Sequence, residues 1–150
     1  MKYKNRYYYE ISLFFTCLSL VVALVMLTVS IAVALVFFII SIFYLYGFII
    51  KKYTKVTHQV IEKGLKINRK LITEIEVINN FANCVEYDVI KRKGIFELFF
   101  KSTIVKFIIK KKVGIQGYET EYTSICLMDK DVENYINEVK GCLDSIIVKI

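Results

Sequence analysis

The chain has 150 residues, 56% of them hydrophobic, with 21 Lys and Arg against 14 Asp and Glu for a net charge of +7. A single histidine, His58, and four scattered cysteines, Cys17, Cys84, Cys126 and Cys142, argue against a metal cluster, a Cys-x-x-Cys redox pair or a secreted disulfide framework. The cysteines read as buried hydrophobes in a reducing interior, and no Asn-x-Ser/Thr acceptor occurs.

Residues 1 to 10 form a basic N-terminus, and Ile11 to Ile50 then carry no charged side chain. A hydrocarbon core about 30 Å thick needs roughly 20 helical residues at about 1.5 Å each, so 40 residues suffice for two spans. The expected helices cover about 11 to 28 and 31 to 50, returning at Leu27-Thr28-Val29-Ser30 with no Gly or Pro to mark the turn. Lys2, Lys4 and Arg6 precede the run and Lys51, Lys52 and Lys55 follow it, which holds both ends on the cytoplasmic side of a cell membrane. Tyr7, Tyr8 and Tyr9 at one end and Tyr44, Tyr46 and Tyr53 at the other suit the headgroup zone; the interface anchors are Lys2, Lys4, Arg6, Tyr44, Tyr46, Lys51 and Lys52. Ser19/Ala23 and Ser30/Ala34 are small pairs four apart that let two helices pack closely. Ala32-Val33-Ala34 has the form of a signal cleavage site, but the apolar stretch before it is far longer than a signal peptide's.

Residues 51 to 150 have the length of one domain. Val56 to Glu62 and Leu65 to Arg69 read as a hairpin about Lys63-Gly64, whose glycine can take a positive φ. Ile72 to Ile78 fits helix or strand, with Ile75 in the core either way. Val85, Tyr87 and Val89 alternate with Glu86 and Asp88 as in a half-buried strand. Ile95 to Phe100 and Thr103 to Val113 are β-branched and aromatic runs, and Gly114 to Gly117 turns the chain into a strand from Glu119 to Met128. Six or seven strands result. Asp129 suits an N-cap, and Val132, Ile136, Val139 and Leu143 mark one face of an amphipathic helix over about 129 to 145. Gly141 weakens or ends it, leaving Ile146 to Ile150 as an apolar tail.

The fold class is therefore a membrane-anchored α+β chain, with a helical hairpin before an antiparallel sheet or barrel capped by a C-terminal helix. Its charge is uneven: residues 51 to 112 hold 15 basic against 6 acidic side chains, a net of +9, while residues 113 to 150 carry −4. Lys91-Arg92-Lys93 and Lys110-Lys111-Lys112 fall at expected strand ends, where a shared rim would meet anionic lipid or a partner at about 1 kcal/mol per basic residue. Lysines at strand ends also keep sheet edges from pairing.

The strand Gln59-Val60-Ile61-Glu62, the Lys63-Gly64 turn, Leu65-Lys66-Ile67, Ile72-Thr73-Glu74-Ile75, and the closing Thr123 to Leu127, Asp129 and Tyr135-Ile136 to Val139 together resemble the bacterial pleckstrin-homology-like domains. Many relatives have an aromatic residue where Ile72 to Ile75 enters the core; this chain has no Trp. The resemblance implies a small membrane protein whose noncatalytic domain binds lipids, a membrane-protein partner or a second copy. The layout also resembles antiphage membrane effectors in which a small β-barrel senses a cyclic nucleotide and the helices breach the membrane.

No catalytic, cofactor-binding or metal-binding residue is assigned. His58 has no evident catalytic partner in sequence, and Glu74/Glu76 and Glu86/Asp88 are solvated strand pairs. Gly114-Ile115-Gln116-Gly117 has the form of a nucleic-acid-binding KH loop, but it joins two strands where a KH loop joins helices, so no nucleic-acid partner is expected.

Overall fold

The computed structural model describes residues 1–53, 55–70, 75–94 and 97–147. It is an α+β structure of two compact units: the helical segment Tyr7–Thr54, and a β-domain of Met1–Arg6 with Lys55–Ile150. The helices are thus an insertion into the β-domain. Its first strand precedes them.

In the helical unit, α1 (Tyr7–Met26) and α2 (Ile31–Tyr53) break where expected, at 27–30. The Ser30 N–H donates to Met26 O at 2.8 Å to close α1, and Ser30 O receives the Ala34 N–H at 3.0 Å to open α2. Ser12, Thr16, Ser19 and Ala23 recur at spacings of four, three and four and are buried, as are Ala34 and Ser41 of α2. A side chain at Gly47 would stand 3.9 Å from Ser12 Oγ, so small residues let the two helices approach. Their hydroxyls are satisfied within each helix: Thr16 donates to Ser12 O at 2.8 Å and Ser41 to Phe38 O at 2.7 Å. Large apolar side chains such as Leu24, Val25, Ile42 and Phe43 point outward instead. Ile31–Ile49 is long and apolar enough to cross a membrane, and the apolar stretch of α1, Glu10–Met26, is shorter.

The β-domain contains two antiparallel sheets. The first has the order β1 (Lys2–Lys4), β2 (Lys55–Ile61), β3 (Gly64–Lys70) and β4 (Ile75–Asn80); the second β5 (Cys84–Lys93), β6 (Ser102–Val113) and β7 (Gly117–Met128). They do not close into a barrel. A one-turn helix α3 (Glu97–Phe100) precedes β6, and α4 (Asp129–Ile147) covers the core. Leu65, Val105, Phe107, Ile109, Ile125 and Leu127 from the strands and Phe81 from the β4–β5 link meet Val132, Tyr135, Ile136, Val139 and Leu143 from α4. The helical stripe read from the sequence is the buried one, and α4 runs through Gly141, where an added side chain would meet nothing. Residues 148–150 lie outside the described residues.

Several expectations are corrected. Within the basic N-terminus lies a strand not expected from the sequence: Tyr3 pairs with His58 and is buried, while Lys2 and Lys4 on either side face solvent. Ile95 to Phe100 is not a strand, since Glu97–Phe100 is helical; 95 and 96 lie outside the described residues. Ile72 to Glu74 lie there too, and Ile75 opens β4. Val85 does not share the core face with Tyr87 and Val89: Cys84 pairs with Lys111 and Glu86 with Lys110, so Val85 is the extra residue of a bulge and is exposed. Gly64 needs no positive φ, because the two-residue link is Glu62-Lys63. It is required because a Cβ there would lie 2.1 Å from Asn79 O on β4. The glycine with a left-handed backbone is Gly114, at φ +67°.

Candidate functional site

Strand register decides where the basic clusters lie. Both links to the helices leave the β-domain from one end. Asn5 N–H donates to Val56 O at 2.9 Å, and Arg6 N–H to Cys126 O at 3.0 Å. Cys126 is level with Ile104, and Ile104 with Arg92. Lys91-Arg92-Lys93 therefore sits at the end from which the chain passes into α1 and α2. Lys55, Arg69 and Lys70 are at the corresponding end of the first sheet. Lys110-Lys111-Lys112 is at the other end, level with Cys84 and Glu86. Seven residues separate Ile104 from Lys111 along β6, about 24 Å at a strand's rise. The two clusters do not share a rim.

Alternation along each strand separates the members of each cluster. Lys91 and Lys93 share the face covered by α4 and meet its first turn: Lys91 Nζ is 2.6 Å from Glu133 Oε1, and Lys93 Nζ 3.9 Å from Asp129 Oδ2. Asp129 also accepts a hydrogen bond from Thr103 Oγ1 at 2.7 Å, so its carboxylate ties β6 to the start of α4. These side chains, with Val132, line a cleft of about 340 Å³. Arg92 points to the opposite, outer face and is exposed with no ion-pair partner among the described residues. At the far end Lys110 pairs with Glu86 at 3.7 Å and Lys111 with Glu121 at 2.5 Å, while Lys112 is exposed and has no ion-pair partner among the described residues.

The remaining anchors are placed as follows. Tyr44 and Tyr46 are exposed on α2, with Tyr44 stacked on Phe15 at 5.4 Å, and Lys51 and Lys52 fall in its last turn. Cys84 and Cys126 are buried, Cys142 is half-buried and Cys17 is exposed on α1. Burial pushes the thiols of Cys84 and Cys142 above their ordinary range. No group of three His, Cys, Asp or Glu suited to a metal occurs among the described residues.

His58 was not legible as a core residue. It is 2% exposed, and its Nδ1 is 3.1 Å from the Tyr135 hydroxyl. The two groups share a hydrogen bond whose direction is set by the imidazole tautomer. Desolvation lowers the His58 pKa to about 4 and raises that of Tyr135. Tyr3 packs edge-on against Tyr135 at 5.0 Å, and the N-terminal ammonium reaches Glu138 at 3.4 Å, so β1 is fastened to α4 as well as to β2. Tyr87 makes a further link, donating to Asp144 at 2.6 Å; burial and that carboxylate push its pKa to about 12. The signal available in sequence was the alternation of Lys2-Tyr3-Lys4, too short to register as a strand.

No family model, curated protein or solved structure matches the chain.

Proposed function

We propose that the protein is a two-span membrane protein whose cytoplasmic-side domain, of pleckstrin-homology-like type, is a noncatalytic interaction module working at the surface of its own membrane. The pairing of β1 with β2 carries this reading. The strands flank the helical insertion and are hydrogen-bonded to each other, from Lys2↔Gln59 to Lys4↔Thr57. A single span by α2 would leave them on opposite sides of a bilayer. If α2 crosses, α1 crosses back. The apolar 17 residues of α1 reach about 25 Å at a helical rise, short of about 30 Å by an amount that local thinning accommodates. The basic residues at both ends of the insertion favour the cytoplasmic side for the domain. Four strands, three strands and a capping C-terminal helix support the pleckstrin-homology-like assignment.

Cysteine accessibility tests the topology. With Cys17 replaced, a Val29→Cys chain in intact cells is expected to react with an impermeant maleimide from outside, while Lys2→Cys and Lys140→Cys react only after lysis. Labelling of Lys2→Cys and Val29→Cys from the same side sinks the two-span reading.

The lipid arm of the proposal uses the end where the chain enters the helices, with Lys4, Arg6, Lys55, Arg92 and Lys101 as its basic positions. At about 1 kcal/mol per basic residue near an anionic surface, Arg92→Gln with Lys101→Gln is expected to weaken retention of anionic lipid by roughly 30-fold. Native mass spectrometry of the full chain from mixed nanodiscs reads this directly. Equal retention by the double variant would leave a protein partner as the module's target.

A further inference from the structure

The β6–β7 hairpin continues beyond the strand that flanks it. β5 begins at Cys84, level with Lys111, and the Lys112 N–H is taken by Asn83 O at 2.9 Å. Val113 to Tyr118 project past that point, about a three-residue loop at 114–116. This tip displays apolar side chains: Ile115 is 92% exposed, Tyr118 60% and Val113 51%. Nothing in the hairpin requires an isoleucine at its apex; a polar residue would turn the chain equally well.

Register extends the tip into a face. Tyr118 is level with Lys112, Thr120 with Lys110, Tyr122 with Ile108 and Ser124 with Lys106, and all lie on the side of the sheet opposite the core; Cys126, level with Ile104, is buried where that side ends. Lys106 Nζ stands 4.3 Å from the centre of the Tyr122 ring, and Lys110 Nζ 4.9 Å from that of Tyr118, which holds both ammonium groups at the outer surface. Ile108 is half-buried between them and Ile104 is half-buried beyond Lys106, and Arg92 completes the face at its other end. Glu86 and Asp88 of β5 also face outward, Glu86 paired with Lys110.

We propose that this outer face of the β5–β6–β7 sheet, with the Val113–Tyr118 tip as its wedge, docks on the anionic interface of the same bilayer that holds α2. The chemistry matches that interface layer by layer. Aliphatic side chains enter the acyl boundary, tyrosine rings sit at the headgroups, and lysines on long stems reach the phosphates. The face carries Arg92, Lys106, Lys110 and Lys112 against Glu86 and Asp88, a net positive charge that complements an anionic headgroup layer. The proposal rests on the two-span reading, because the helices supply the high local concentration that so small a wedge needs.

The chain has no tryptophan, so Ile115→Trp introduces a single probe at an exposed apolar position. In nanodiscs containing anionic brominated lipid, its emission is expected to be blue-shifted and strongly quenched. Lys140→Trp, on the exposed side of α4, is expected to remain water-like. Adding Lys110→Gln and Lys112→Gln to Ile115→Trp should reverse most of the quenching. Leu24→Trp, on the outer surface of α1, reports separately on the anchor: quenched Leu24→Trp with unquenched Ile115→Trp overturns the docking proposal and leaves the anchor standing. Unquenched Leu24→Trp overturns the two-span reading itself. Quenching of Ile115→Trp only by brominated lipid in added vesicles, and not in the chain's own nanodisc, also overturns docking on the same bilayer.

Discussion

A Tyr135→Ala chain is expected to lose about 4 kcal/mol of β-domain stability, in the upper range for deleting a buried aromatic side chain. Tyr135 is fully buried on α4 and is the residue on which three elements converge. Tyr3 of β1 packs edge-on at 5.0 Å, Phe107 of β6 at 6.1 Å, and His58 of β2 is hydrogen-bonded to its hydroxyl. Alanine removes the ring from all three and leaves the buried His58 nitrogen without its hydrogen-bond partner, which adds the cost of an unmet hydrogen bond to that of the cavity. A domain of about 100 residues holds only about 5–15 kcal/mol in total, so much of its stability depends on this contact. Tyr135→Phe separates the two contributions: it keeps the ring and is expected to cost about 1–2 kcal/mol through the lost hydroxyl. Urea unfolding of the full chain in detergent, followed by near-ultraviolet circular dichroism, measures both. If Tyr135→Ala unfolds at the wild-type midpoint, α4 does not close the core through this residue.

The same contact explains what could and could not be read from the sequence. The helix break at 27–30 and the apolar stripe of α4 were legible because their signals are local: a long uncharged run must turn near its middle, and Val132, Ile136, Val139 and Leu143 keep one spacing over three turns. β1 was not legible, because three residues make no period and the partner that buries Tyr3 lies at the other end of the chain. For the same reason His58 looked solitary. Its hydrogen-bond partner is on α4, and no spacing rule joins the two. Val85 continued an alternation that was correct for Tyr87 and Val89, but a bulge inserts one residue into that period and only pairing with β6 exposes it. The basic clusters show the same limit in the candidate site. Composition identified Lys91 to Lys93 and Lys110 to Lys112 as strand-end charge, yet register puts them at opposite ends of one sheet. Pairing also occupies Lys91 with Glu133 and Lys111 with Glu121 and leaves Arg92 and Lys112 displayed outward.

Acid should weaken the β-domain through one buried imidazole. In the folded chain His58 is desolvated beside Tyr135 and its pKa falls to about 4, against an ordinary value near 6.5 in the unfolded chain. Above pH 6.5 neither state binds a proton there and stability is at its full value. Between pH 6.5 and about 4 the unfolded chain binds a proton that the folded chain does not, so folding weakens as the pH falls. The loss approaches about 3 kcal/mol at pH 4, where the folded imidazole begins to titrate as well. His58→Gln retains an acceptor for that hydroxyl and removes the titration. The difference in unfolding free energy between wild type and His58→Gln, measured from pH 7 to pH 4, isolates His58 from the carboxylates that also titrate in acid. A difference that narrows or changes sign by about 3 kcal/mol over this window is the expected result; a constant difference would mean that water reaches His58 in the folded domain, and with it that β1 does not stay closed over β2 and α4.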